Sequence, residues 1–130
     1  MSYDGGCLCG RVRFRVSLPL LDSGYCHCRM CQRSSGAPVV AWVTVYASGF
    51  FWILGKPRLH RSSAHGLREF CRNCGSYLAF RNKLCVDVVS INTASFDEPN
   101  AFPPRKHLFI ENRISWFQTA DELPCHQDYS

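Results

Sequence analysis

Nine cysteines in 130 residues, most of them in three tight groups, limit what this chain can fold into more than any other feature. Cys7 and Cys9 stand as C-x-C in GGCLCG, Cys26, Cys28 and Cys31 as C-x-C-x2-C in CHCRMC, and Cys71 and Cys74 as C-x2-C in CRNCG. These are metal-ligand spacings. In an extended segment residues i and i+2 project to one face, so C-x-C can offer two thiolates to one ion. In CRNCG the tight turn between the thiols resembles a zinc knuckle, and Gly75 suits a backbone that bends beneath the metal. The two pairs together supply four thiolates, the number for a closed, structural zinc site. Cys26, Cys28 and Cys31 then remain as three ligands with one open position, the arrangement of a catalytic zinc. A second assignment groups Cys28 and Cys31 with Cys71 and Cys74 as a zinc ribbon, leaving Cys7, Cys9 and Cys26 over. Cys85 lies in a strand pattern and reads as a small buried hydrophobe, and Cys125 reads as a free thiol. His27, between two ligands, would have to swing back awkwardly to reach the same ion. His60, His65 and His126 read as surface residues.

Length removes the other common use of so many cysteines. A chain of this size is one domain, residues 1–130, that buries roughly two-thirds of its unfolded surface and needs no disulfide staples. The opening MSYDGGCLCG has no basic start followed by an apolar run, so no secretory signal is expected and the cytoplasm, a reducing compartment, is. Residues 34–55 carry no charge. Pro38, the Ser48-Gly49 pair and many β-branched and aromatic residues there point to two buried strands joined by a turn, not to a membrane span. The net charge of +5 is a mild bias towards anionic partners. The basic residues are scattered, so no nucleic-acid stripe is expected.

Short apolar segments recur between turn signals: RVRFRV, PVVAWVTV, FFWIL, SYLAF, LCVDVVSI, HLFIE and ISWFQ. In the first, Val12, Phe14 and Val16 would face a core while Arg11, Arg13 and Arg15 face water. No stretch keeps a long 3.6-residue period, so the expected class is mainly β with one short helix around CHCRMCQRSS. The tail after Pro124 reads as loosely attached.

GGCLCGRVRF, CHCRMCQRSSGAP, REFCRNCGSYL, SINTASFDEP and HLFIENRISWFQTADELP together resemble the glutathione-dependent formaldehyde-activating enzyme family, also called the centromere protein V family. The resemblance runs from about residue 5 to residue 125. It implies a β-tent type fold of short antiparallel strands organised around a four-cysteine zinc site, similar to methionine sulfoxide reductase B. Two zinc ions per chain are implied, one structural on Cys7, Cys9, Cys71 and Cys74 and one labile on Cys26, Cys28 and Cys31. The implied chemistry joins glutathione and formaldehyde to S-(hydroxymethyl)glutathione, a carbon-sulfur lyase run backwards. On that expectation Cys26, Cys28 and Cys31 are the catalytic residues and a small thiol such as glutathione is the partner. Ser34, Ser35 and the backbone at Gly36 are candidate donors to the developing oxyanion, and Arg29 and Arg33 candidates for glutathione's carboxylates. Asn92 and Thr93 match a family segment in which a glycine often stands where this chain has Ala94. His107 stands at a position the family often fills with histidine, and reads as polar support for a strand. Two other readings stay open: a zinc-stabilised interaction module without catalysis, and a redox protein pairing Cys28 with Cys31.

Overall fold

A computed structural model of the chain describes residues 1–129. Ten strands and one α-helix follow in the order β1 (Ser2–Gly6), β2 (Arg13–Ser17), β3 (Leu20–Cys26), α1 (Arg29–Ser35), β4 (Val40–Tyr46), β5 (Phe50–Leu54), β6 (Arg58–Arg61), β7 (Gly66–Phe70), β8 (Tyr77–Asn82), β9 (Cys85–Asn92) and β10 (His107–Leu108). The fold is mainly β, as the segment pattern predicts. No helix among the described residues is long and apolar enough to cross a membrane.

The strands form a three-stranded sheet in the order β1-β2-β5 and a seven-stranded sheet in the order β10-β3-β4-β9-β8-β7-β6. Neighbours are antiparallel except β10, which runs parallel to β3. Strict alternation in β2 decides how the sheets meet. Phe14 and Val16 point inward and are fully buried, against Val43 and Val45 of β4, Ala79 of β8 and Val89 and Ile91 of β9. On the outward face Arg15 pairs with Asp4 of β1 at 2.8 Å, and Arg13 pairs with Asp97 at 2.5 Å. A smaller apolar cluster joins Val12 and Leu78 to the sulfur-bearing residues Cys7 and Cys71.

Four expectations are corrected. The uncharged stretch makes two strands, but they enter different sheets and only Phe50 of β5 is buried; Phe51, Ile53 and Leu54 lie on an exposed edge. ISWFQ is not a strand: the chain turns at Ser115–Trp116, outside the ladder of any sheet, and Trp116 is exposed. Cys85 is exposed at the start of β9, where the hairpin from β8 projects beyond the core. The tail is not loose, because its backbone bonds pin it to β10: the His107 N–H donates to the Pro124 carbonyl at 2.8 Å and the His126 N–H to the His107 carbonyl at 2.8 Å.

Candidate metal centres

The fold groups seven of the nine cysteines into two sets of sulfur atoms, each set mutually within 4.8 Å: Cys7, Cys9, Cys71 and Cys74, and Cys26, Cys28 and Cys31. All nine cysteines are free thiols. The zinc-ribbon grouping of Cys28 and Cys31 with Cys71 and Cys74 is not the one the fold makes.

Cys7 and Cys9 sit on the loop from β1 to β2, and Cys71 and Cys74 on the turn from β7 to β8. The first set therefore spans both sheets. Its sulfurs lie 3.6 Å apart for Cys7 and Cys9 and 3.7 Å for Cys9 and Cys71. A tetrahedral zinc with bonds of about 2.3 Å separates its sulfur ligands by about 3.8 Å, so the donor set fits that ion in number, kind and spacing. Backbone N–H groups already point at the sulfurs: Val12 donates to Cys7 Sγ at 3.3 Å and Cys74 to Cys71 Sγ at 3.5 Å. Gly75 closes the turn at φ +79°, in the left-handed region open to glycine, with its N–H on the Cys71 carbonyl at 2.8 Å. Ser76 ties the two loops together, accepting from the Leu8 N–H at 3.0 Å while its hydroxyl lies 3.2 Å from Cys74 Sγ. The Ser76 side chain, then backbone N–H groups, pull the Cys74 thiol down to about 5, the anionic form a metal takes.

The second set is built on one short stretch. Cys26 ends β3, Cys28 caps α1 by accepting the Cys31 N–H at 3.3 Å, and Cys31 lies in the helix itself. Cys26 and Cys28 sulfurs are 3.4 Å apart. Hydrogen bonds from Cys26 and then Cys31 hold the Cys28 thiol far below its usual range, and the same contact with Cys28 drives Cys26 upward. Three clustered sulfurs are a donor set that suits a thiophilic cation, one ligand short of a closed tetrahedral site.

His27 turns away from these sulfurs. It is fully buried, with Nε2 2.8 Å from His107 Nδ1, and His107 Nε2 lies 3.0 Å from an Asp121 carboxylate oxygen. The consistent protonation has His107 donating to Asp121 and His27 donating to His107. Gln32, buried in α1, donates to the His27 carbonyl at 2.8 Å and to the Asn112 carbonyl at 3.2 Å, so the loop of three cysteines is held from both sides. Sequence reasoning gave His27 no role.

Arg68 and Tyr77 are functional candidates that sequence reasoning missed altogether. Arg68, on β7, is buried against the rings of Phe80 and Tyr77, 4.9 and 5.3 Å from their centroids, and donates to the Tyr77 hydroxyl at 2.6 Å. Burial opposes its charge, but Tyr77 and Cys31 beside it more than offset that. Burial raises Tyr77's own pKa, so its phenol keeps its proton. The available signal was the position of Arg68 in GLREF, three residues before Cys71 of the CRNCG pair.

An open pocket of about 390 Å³ is walled by Ser34 and Ser35 at the end of α1, Cys74 to Tyr77, and Asn92, and Cys74 is the one clustered cysteine in its lining. Ser34 and Ser35 reach the pocket, but both hydroxyls donate to the Cys31 carbonyl, at 3.1 and 2.7 Å, and secure the helix end. Asn92 donates to the Tyr77 carbonyl at 2.9 Å, and Thr93 is buried with its hydroxyl unpartnered. Arg29 and Arg33 are exposed on α1, with the Arg29 guanidinium on the Gln32 side-chain oxygen.

The family model described as glutathione-dependent formaldehyde-activating enzyme matches residues 2–112. The chain belongs to this family. Among curated relatives, a Halomonas elongata protein named for the same family is 28% identical over 140 residues, covering 99% of this chain and 89% of the relative. A Schizosaccharomyces pombe protein named as an uncharacterised lyase is 28% identical over 86 residues, 60% of this chain and 56% of that protein. The crystal structure of a Rhodobacter sphaeroides protein shares the fold of this family member, with a TM-score of 0.59 at 24% identity, over 94% of this chain and 98% of that one.

Proposed function

We propose that this protein is a zinc-dependent carbon-sulfur lyase-like enzyme that joins a small thiol, glutathione, to formaldehyde as S-(hydroxymethyl)glutathione. The observation that carries the reading is a set of three mutually close sulfurs, one fewer than a closed four-ligand site, on the loop that runs into Ser34 and Ser35 of an open pocket. Family membership and relatives named as a formaldehyde-activating enzyme and a lyase support it.

Cys26, Cys28 and Cys31 hold the labile ion, and Cys7, Cys9, Cys71 and Cys74 the structural one. Zinc held by Cys26, Cys28 and Cys31 would favour the thiolate form of an incoming thiol at neutral pH. The rest falls to the chain. The pocket holds thiol and carbonyl together, which removes most of the entropy of their encounter. Tyr77 accepts from Arg68 and keeps its own proton to donate, so it serves the oxyanion that grows on the formaldehyde oxygen. Ser34 and Ser35, committed to the Cys31 carbonyl, shape the pocket and position that ligand. Arg29 and Arg33, exposed on α1, meet glutathione's carboxylates.

Cys28→Ser tests the reading. It removes one ligand of the second set and leaves the four-cysteine set whole. The expected outcome is one metal ion per chain instead of two, native circular dichroism, and hydroxymethyl-thiol formation reduced by at least about 100-fold. Unchanged turnover in a folded Cys28→Ser protein would overturn it.

A further inference from the structure

The chain crosses from the small sheet to the large one between β5 and β6, and both of these strands are edges. β5 pairs only with β2, and β6 only with β7. Each therefore keeps a row of unpaired backbone N–H and C=O groups on its other side. The sequence of β5, FFWIL, holds neither the charge nor the proline with which sheet edges are usually protected. Phe51, Ile53 and Leu54 on it, and Leu59 on β6, are 43–56% exposed. An open groove of about 530 Å³ lies between the two strands, walled by Phe50, Phe51 and Trp52 of β5, Lys56 of the link, Leu59 of β6 and Glu69 of β7. None of the clustered cysteines lines it. Its charge is one-sided. No Asp or Glu occurs between Asp22 and Glu69. Glu69 is already held by Arg81 at 2.5 Å, and the Arg81 guanidinium lies over the Phe50 ring, 5.4 Å from its centroid. Lys56, Arg58 and Arg61 stand exposed within six residues and make the rim basic.

We propose that this groove is a docking site for an extended acidic segment of a partner protein, which adds as a strand to a free edge and alternates apolar side chains with carboxylates. Strand addition pairs the free backbone groups, the apolar side chains cover Phe51, Trp52 and Leu59, and the carboxylates meet Lys56, Arg58 and Arg61. The observations favour this occupant over two others. A second copy of the chain brings the wrong charge: antiparallel pairing of β6 with its own copy sets Arg58 opposite Arg61, and β5 carries no carboxylate to the rim. A lipid surface suits a protruding apolar patch, whereas Phe51 and Leu59 line a concavity beside sheet edges whose backbone groups acyl chains cannot satisfy. The inference uses no residue of either cysteine set and stands apart from the reaction under Proposed function.

The test follows the backbone amides of residues 50–61 by nuclear magnetic resonance in the full chain loaded with zinc. The probes are a short blocked peptide of alternating valine and glutamate, the same peptide with lysine for glutamate, and vesicles of phosphatidylserine and phosphatidylcholine. The glutamate peptide is expected to shift these amides saturably and to bind at least about ten-fold more tightly than the lysine peptide. A chain carrying both Lys56→Glu and Arg58→Glu is expected to bind it at least about ten-fold more weakly than wild type. Methylating one alternate set of the peptide's amides should abolish binding and methylating the other should spare it, because an added strand turns alternate N–H groups to the edge. No saturable shift in residues 50–61, equal affinity for the two peptides, or an equal effect of the two methylated sets would each overturn the inference. Vesicles that shift these amides where the peptide does not would overturn it in favour of a membrane surface. Shifts that grow with protein concentration alone, with a dimer in sedimentation, would overturn it in favour of a second copy. Should the double variant not fold, Arg58→Gln carries the comparison: weaker binding of the glutamate peptide supports the inference, and unchanged binding overturns it.

Discussion

His27 is a buried residue between two of the clustered cysteines, and its ring bonds to His107. Its ring is the inner end of a chain running through His107 to Asp121, and its neighbours in sequence are Cys26 and Cys28. Burial first, and then the electrostatic influence of His107 and Arg113, push its pKa down to about 4 from the ordinary 6.5. The unfolded chain takes a proton on this histidine below about 6.5, and the folded chain refuses it until about 4. Stability is therefore lost as the pH falls through that window. The same decline includes protonation of the cysteine ligands, so the histidine's share is read from a variant that cannot titrate there. His27→Asn is expected to lose less stability between pH 6.5 and pH 5 than the parent, in urea melts at equal metal content. Parallel slopes in the two proteins would place the acid sensitivity elsewhere. None of this was legible in CHCRMC, where His27 reads only as the residue between two ligands. Arg68 and Tyr77 were hidden for a related reason. An arginine beside a glutamate in GLREF looks like solvated surface, and only the pairing of β7 with β8 brings Arg68 over Tyr77 and Phe80.

At the scale of elements, what could be read depended on whether a strand has one wet face and one dry one. β2 alternates strictly, and its burial follows the alternation residue by residue. β4 was legible as a run of β-branched residues. β5 carries an equally apolar sequence but forms the edge of the small sheet, and composition does not distinguish an edge from a centre. β1, SYDGG, has no apolar alternation at all. It exists because β2 offers it a register, in which Gly5 faces Phe14 and bridges to Phe96. A methyl group on Gly5 would come within 2.4 Å of the Phe14 ring and within 2.4 Å of the Ser95 carbonyl, so the strand cannot lie this close with any side chain there. Gly5→Ala is expected to lower unfolding stability by about 1–3 kcal/mol, from the chemical-denaturation midpoint at constant metal load, because the backbone must shift to relieve the overlap. A midpoint equal to wild type would mean that β1 can pull away from Phe96 freely.

The two sheets of the whole molecule are joined by a shared apolar core and by the four-cysteine centre, and these two links differ in how far the sequence revealed them. C-x-C and C-x2-C are local patterns, so each pair was visible as a ligand pair. That Cys9 meets Cys71 across 62 residues follows from the meeting of the two sheets, which brings the β1–β2 loop to the β7–β8 turn. The three-cysteine centre spans only Cys26 to Cys31, and its grouping is settled by one strand end and one helix start. This difference in span predicts a difference in what each metal does. An ion on Cys7, Cys9, Cys71 and Cys74 clasps segments from both sheets, so its binding energy is folding energy, of order 10 kcal/mol in small zinc domains. An ion on Cys26, Cys28 and Cys31 closes a loop of six residues that α1, Gln32 and His27 already hold, and contributes little to the global fold. A chelator added in steps at neutral pH is therefore expected to remove one ion with no change in near-ultraviolet circular dichroism, and the second only together with loss of the tertiary signal. Cys74→Ser should behave as the fully stripped protein does, and Cys28→Ser as the half-stripped one. Loss of the tertiary signal with the first ion, or a native signal after both have gone, would mean that the apolar core between Phe14, Val43 and Ile91 and the metals share the work of joining the sheets in some other proportion.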